Sequence, residues 1–245
     1  MYNFSISEVL DQAWALTKKH GLLLALILFV ISLVESAFTN WVDPTQINAL
    51  VENLDTNDPN AFISAYSSML QNVAFSPYIL MGSLLTLVLN CAVRAIMLSL
   101  AKGTTSDISI EPVKMPVMAY VKYIAWEILY GIIVCIGLCL CIVPGLWIGA
   151  RLATVQFYFL DNPEIGFGEA IRRGWESTDG HALNLIGLGI VCFFIVMAGL
   201  LLCCIGIYFT EVIAHFSLIV VYLILSGFYS QPSVADNLND DVETI

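Results

Sequence analysis

Along the chain, long apolar runs alternate with short polar or amphipathic stretches. Six runs, at 21–38, 77–101, 119–143, 145–160, 182–208 and 210–228, read as helices that cross a bilayer. A hydrocarbon core of about 30 Å is crossed by roughly 20 helical residues. In that medium the backbone must satisfy its own polar groups, so the pattern predicts an all-α, polytopic membrane protein with six transmembrane helices.

Two of the intervening stretches share one frame. "EVLDQAWALTKKH" occupies 8–20 and "EAIRRGWESTDGH" occupies 169–181, with Glu, Trp, Thr and His in matching places. On a helix, Ile6, Val9, Leu10, Ala13 and Trp14 fall on one face and Glu8, Asp11, Gln12 and Ala15 on the other. Phe167, Ala170, Ile171, Gly174 and Trp175, opposed to Glu169, Arg172, Arg173 and Glu176, repeat the division. Ser5 with Glu8 has the pattern of a capping box, and Gly166 with Glu169 a weaker version of it.

The frame predicts interfacial helices over 5–19 and 167–179, lying in the headgroup plane. Trp14, His20, Trp175 and His181 are their interface anchors, and each helix turns at its His into a transmembrane hairpin. Both copies start on one side, which makes a parallel internal repeat. Singly, each Trp or His is an ordinary interface residue; the shared spacing is what reads as duplicated structure. A Pro-interrupted stretch at 107–122, ahead of spans three and four, lacks the Trp and His marks. A signal peptide is the rival reading of the first apolar run, and the repeat argues against it.

Composition agrees with the pattern: 59% of the 245 residues are apolar and 12% charged, far from an ordinary soluble domain. One orientation places all nine Lys and Arg on the cytoplasmic side or within the membrane. By the positive-inside rule both termini are then cytoplasmic. The stretch 40–76, with Asp43, Glu52, Asp55 and Asp58 but no base, becomes an external helical loop. Residues 231–245 form an acidic, disordered cytoplasmic tail after a single membrane domain at 1–230. That tail carries part of the net charge of −11, and no basic patch points to nucleic acid.

Ionisable groups inside spans cost a few kcal/mol and are usually paired or functional. From the helical rise, Arg94 lies about 10 Å above the inner end of span two and Glu127 about 8 Å above Lys122 on span three, near enough in depth to meet. Glu35, Arg151, Glu211 and His215 are placed in a second layer toward the outer face, with two acids sharing one Arg. These six residues are the candidates for a polar, ligand-binding interior, and architectural ion pairs are the other reading of both groups.

Gly145, Gly149 and Ala153 form a small-residue stripe that suits close helix packing, and Pro144–Gly145 fits the centre of a type II turn between spans three and four. The seven cysteines match no zinc spacing and read as small packing residues, with Cys139 or Cys141 able to approach Cys203 or Cys204. No catalytic motif, metal site or cofactor is expected.

"VPGLWIGARL" (143–152), "FLDNP" (159–163) and then "EAIRRGWESTDGH" resemble the YciC-like inner-membrane family and the related membrane domains attached to some glycerophosphodiester phosphodiesterases. The resemblance implies a Pro-Gly hairpin, a span ending near an Asp, an amphipathic Trp-bearing segment and an association with lipids, but no catalytic residue. Two functions are expected. In one, membrane lipids, amphiphiles or a small solute bind in or move through a partly polar interior. In the other, the protein is a scaffold or regulatory partner that recruits proteins through the loop 40–76 or the interfacial helices.

Overall fold

The computed structural model describes residues 4–39, 67, 77–105, 108–201 and 204–228. The external loop at 40–76, apart from Ser67, and the tail at 231–245 lie outside the described residues. Among those described, the order is α1 Ile6–Thr39, α2 Pro77–Ala101, a 3-10 turn Glu111–Val113, α3 Val117–Leu140, α4 Ile142–Leu152, α5 Val155–Asp161, α6 Phe167–Ser177, α7 Ala182–Leu201 and α8 Cys204–Leu225. No strand occurs among them.

Five helices are long and apolar enough to cross a membrane: those at Ile6–Phe38, Pro77–Ala101, Val117–Leu140, Ala182–Leu201 and Gly206–Leu225. Their outer faces carry the large apolar side chains of Leu22 and Leu26 on α1, Ile128, Ile132 and Ile136 on α3, and Leu183, Phe193 and Phe194 on α7. Apolar surface on that scale is a liability in water and the expected surface in lipid.

The sixth predicted span, 145–160, is not one helix. It is divided into α4 and α5, whose 11 and 7 residues extend only about 16 and 10 Å. Neither Pro nor Gly sits at the break. At the break the buried Thr178 Oγ1 lies 2.9 Å from the carbonyl of Arg151 and 2.9 and 3.1 Å from those of Gly174 and Trp175, so its one proton is shared among three acceptors. The turn before α4 also differs from the Pro-Gly type II turn. Cys141 alone makes it, in extended conformation with φ −163° and ψ 134°. Pro144 falls within the first turn of α4, where its missing N–H costs nothing.

The chain divides into two compact units, Met1–Leu26 with Cys91–Ile245, and Ile27–Asn90. In the smaller unit α1 and α2 pack closely enough that a Cβ on Gly82 would sit 2.7 Å from Phe38 Cβ. In the larger unit, two apolar centres organise the helices. Phe4 and Val9 pack with Leu185, Leu188, Val220 and Val221, bringing the start of α1 onto α7 and α8. Trp126, Leu152, Val155, Phe159, Ile165 and Ala170 form the other, joining α3, α4, α5 and α6.

The repeated frame buries one register in both copies. Phe4 and Ile165, Val9 and Ala170, Ala13 and Gly174, and Thr17 and Thr178 are all buried. Thr17 Oγ1 donates to the Ala13 carbonyl at 2.7 Å and Thr178 Oγ1 lies 2.9 Å from the Gly174 carbonyl. The copies then diverge. Phe167–Ser177 form a separate helix, α6, whereas residues 6–19 are the first part of the unbroken α1. That first part runs antiparallel along α8, with Trp14 edge-on to Phe209 at 6.1 Å and Gly21 close to the same ring. No turn occurs at His20.

Position 180 accounts for the difference. Gly180 takes φ +77° to end α6, while Lys19 stands at the matching place in the first copy and stays helical. Open space surrounds Gly180, so Gly180→Ala tests the backbone alone and is expected to destabilise by about 1 kcal/mol. Denaturant unfolding in micelles checks this, and an unchanged midpoint would show that the αL turn is not what separates the copies.

Candidate functional site

One turn and more inside α2 and α3, and at the start of the short α5, polar side chains come together. Arg94 Nη1 faces Tyr123 Oη at 2.7 Å, Glu127 Oε1 at 2.8 Å and Gln156 Oε1. Tyr123 and Glu127 are four residues apart on α3 and so share a face; Gln156 comes from the first turn of the short α5. Tyr123 is 1% exposed, and the Arg94 and Glu127 side chains are each 22% exposed. Arg94 Nε is buried without a hydrogen-bond partner. The guanidinium also lies 5.9 Å from the centre of the Tyr123 ring.

His215 Nδ1 lies 2.9 Å from the Glu211 carbonyl. Because α8 begins at Cys204 rather than at 210, Glu211 and His215 lie about two turns or more into the helix and not at its start.

Arg151 belongs elsewhere. It is 5% exposed and donates from Nη1 to Asp179 Oδ1 at 2.6 Å and from Nη2 to the Trp175 carbonyl at 2.8 Å. Its carbon Cζ lies 4.3 Å from the centre of the Trp175 ring and 5.2 Å from that of Trp147, a cation–π arrangement. The two indoles meet edge-on at 5.6 Å. The carboxylate partner of Arg151 is thus Asp179, ahead of α7, and not Glu211. Glu35 is an exposed residue of the smaller unit.

The anchors of the repeat differ in their surroundings. Trp14 is 44% and Trp175 37% exposed, and Lys18 Nζ lies 5.8 Å over the Trp14 ring. His181 is buried against Phe4, with ring centres 5.7 Å apart, and its Nδ1 has no hydrogen-bond partner. Its carbonyl accepts from the Leu185 amide at 3.0 Å and starts α7. On α6, Glu169 accepts from Arg172 and Arg173. Those bonds, Arg173 foremost, hold its carboxyl below the usual carboxylate range. Ser5 shows half of the predicted capping box, its amide donating to Glu8 at 3.4 Å.

Cys91 is buried, but Cys135, Cys139 and Cys141 are exposed, which corrects the reading of all of them as packing residues. Cys203 and the Cys204 side chain lie outside the described residues. Among the described residues no group of three His, Cys, Asp or Glu is placed to hold a metal ion.

Tyr123 and Gln156 are the members of the cluster that sequence reasoning missed. Gln156 carried a usable signal, as a lone amide in the apolar run "TVQFYFL". Tyr123 carried one only through its spacing from Glu127. Comparison with family models, with curated proteins and with solved structures gives no match.

Proposed function

We propose that this chain is a non-enzymatic, multi-pass membrane protein that binds or moves a lipid, an amphiphile or a small solute through a partly polar interior, with Arg94, Tyr123, Glu127 and Gln156 as the polar contact. The observation that carries the reading is the part-buried ion pair of Arg94 and Glu127, inside helices otherwise apolar. Ionisable groups at such depth are costly and concentrate on ligand or ion pathways. An Arg with an unpartnered Nε has a donor to offer a polar headgroup. An inner-membrane setting with both termini cytoplasmic, and kinship with the YciC-like family through 143–181, belong to the same proposal.

The scaffold reading draws on the opposite property of the cluster. Arg94 Nη1 already has three oxygens around it, as an architectural pair would. A double variant, Arg94→Met with Glu127→Leu, separates the two readings, because replacing a buried ion pair by apolar residues often leaves the fold intact. Wild-type protein taken from membranes in mild detergent should retain an amphiphile in native mass spectrometry, and the folded double variant should lose it. Bare wild-type protein, or equal retention by both, would favour the scaffold.

A further inference from the structure

In the larger unit, α5 with the loop that follows it, α6 and the end of α8 surround a notch of about 260 Å³. Tyr158, Asp161, Arg173, Tyr222 and Phe228 are among its lining residues. Asp161 is already satisfied: Lys102 Nζ donates to Oδ1, and the Tyr222 hydroxyl donates to Oδ2 at 2.7 Å. Lys102 Nζ also lies 5.2 Å from the centre of the Phe228 ring. The carboxylate is therefore a fixed part of the wall and not an open cation site.

The open capacity is on the donor side. Arg173 gives only its Nε to Glu169 Oε1, at 2.8 Å; among the described residues its two Nη groups make no hydrogen bond. Glu169 is shared with Arg172, which reaches both of its oxygens. Lys122, beside the lining residue Ile165, donates to the carbonyls of Pro163 and Ile165 at 3.0 and 2.8 Å, so its charge meets no carboxylate there. A guanidinium with a free Nη edge in a small polar notch matches the oxygens of a phosphate, which Arg binds through parallel N–H groups. The volume lies just below the roughly 300–1,000 Å³ of drug-sized pockets, which suits a headgroup and not an acyl chain.

We propose that this notch binds the phosphate of a membrane phospholipid headgroup through Arg173. The inference deepens the function proposed above and rests on it in one respect. Gln156, which touches Arg94, precedes Asp161 by five residues on α5, or about 8 Å. The headgroup would thus be held at the mouth of the Arg94 cluster.

The test uses the full chain in detergent, titrated with dihexanoyl phosphatidylglycerol below its micelle concentration and, separately, with inorganic phosphate. Arg173→Gln should weaken phospholipid binding about tenfold, since hydrogen bonds to charged groups are the strong ones. Arg172→Gln, whose guanidinium pairs outward with Glu169 and Glu176, should leave it within about twofold. Inorganic phosphate that binds as well as the lipid, with the same Arg173 dependence, would overturn the lipid headgroup as the occupant. Equal losses in the two Arg variants, or no saturable binding, would overturn the site itself. The two proposals fail separately. A notch that binds phospholipid in a protein whose Arg94→Met/Glu127→Leu variant still retains its native amphiphile would sink only the Arg94 reading. Loss of that amphiphile in the double variant, with Arg173→Gln silent, would sink only the notch.

Discussion

Glu127→Ala is expected to lower the unfolding free energy by about 3 kcal/mol, the low end of the cost of stranding one partner of a buried ion pair. The low end applies because the Arg94 and Glu127 side chains keep 22% exposure each and are not fully cut off from their surroundings. After truncation Arg94 retains Tyr123 and Gln156 as neutral acceptors, but the carboxylate that balanced its charge at 2.8 Å is gone. Reversible unfolding in mixed micelles reads the difference. A loss under about 1 kcal/mol would mean that solvent replaces Glu127, and that the pair is loosely held. Arg94→Met with Glu127→Leu should come much closer to wild type than Glu127→Ala, because no charge is then left unpaired.

The sequence made the apolar framework legible because hydropathy over some twenty residues depends on composition alone. The depth of Arg94 and Glu127 followed from the helical rise, and the two residues meet. Arg151 was misplaced because an unbroken span at 145–160 carried it toward the outer face. The break after Leu152 falls where Thr178 Oγ1 approaches the Arg151 carbonyl, a tertiary contact that no local propensity records. Asp179, the actual partner of Arg151, stands where the first copy of the repeat has Lys18. The repeat thus held the clue, as a change of charge at one matched position. The shared burial of Val9 with Ala170, and of Ala13 with Gly174, was readable from spacing. The continuity of α1 turned on a single Lys where the second copy has Gly, a difference easily lost when two segments are aligned for their likeness.

The hairpin of α3 and α4 offers the sharper test of packing, through two glycines of the same stripe. A Cβ on Gly145 would lie 2.6 Å from both Gly137 C and Leu138 N. These are backbone atoms, so no rotamer change relieves the contact and the helices must separate. A Cβ on Gly149 would meet only Val134 Cγ2 at 3.4 Å and Tyr130 Oη at 3.7 Å, ordinary contact with movable groups. Overpacking costs up to about 3 kcal/mol, while replacing a helical Gly by Ala returns about 1 kcal/mol in propensity. Gly145→Ala is therefore expected to destabilise by about 2 kcal/mol net, and Gly149→Ala to be neutral or slightly stabilising. Moving α4 would also disturb Trp147, which meets Trp175 edge-on beside Arg151. Gly145→Ala should accordingly alter the near-ultraviolet dichroism of the tryptophans while Gly149→Ala leaves it unchanged. Equal effects of the two substitutions would show that the backbones of α3 and α4 do not meet at Gly137 and Gly145, and that the stripe does not set the position of Arg151.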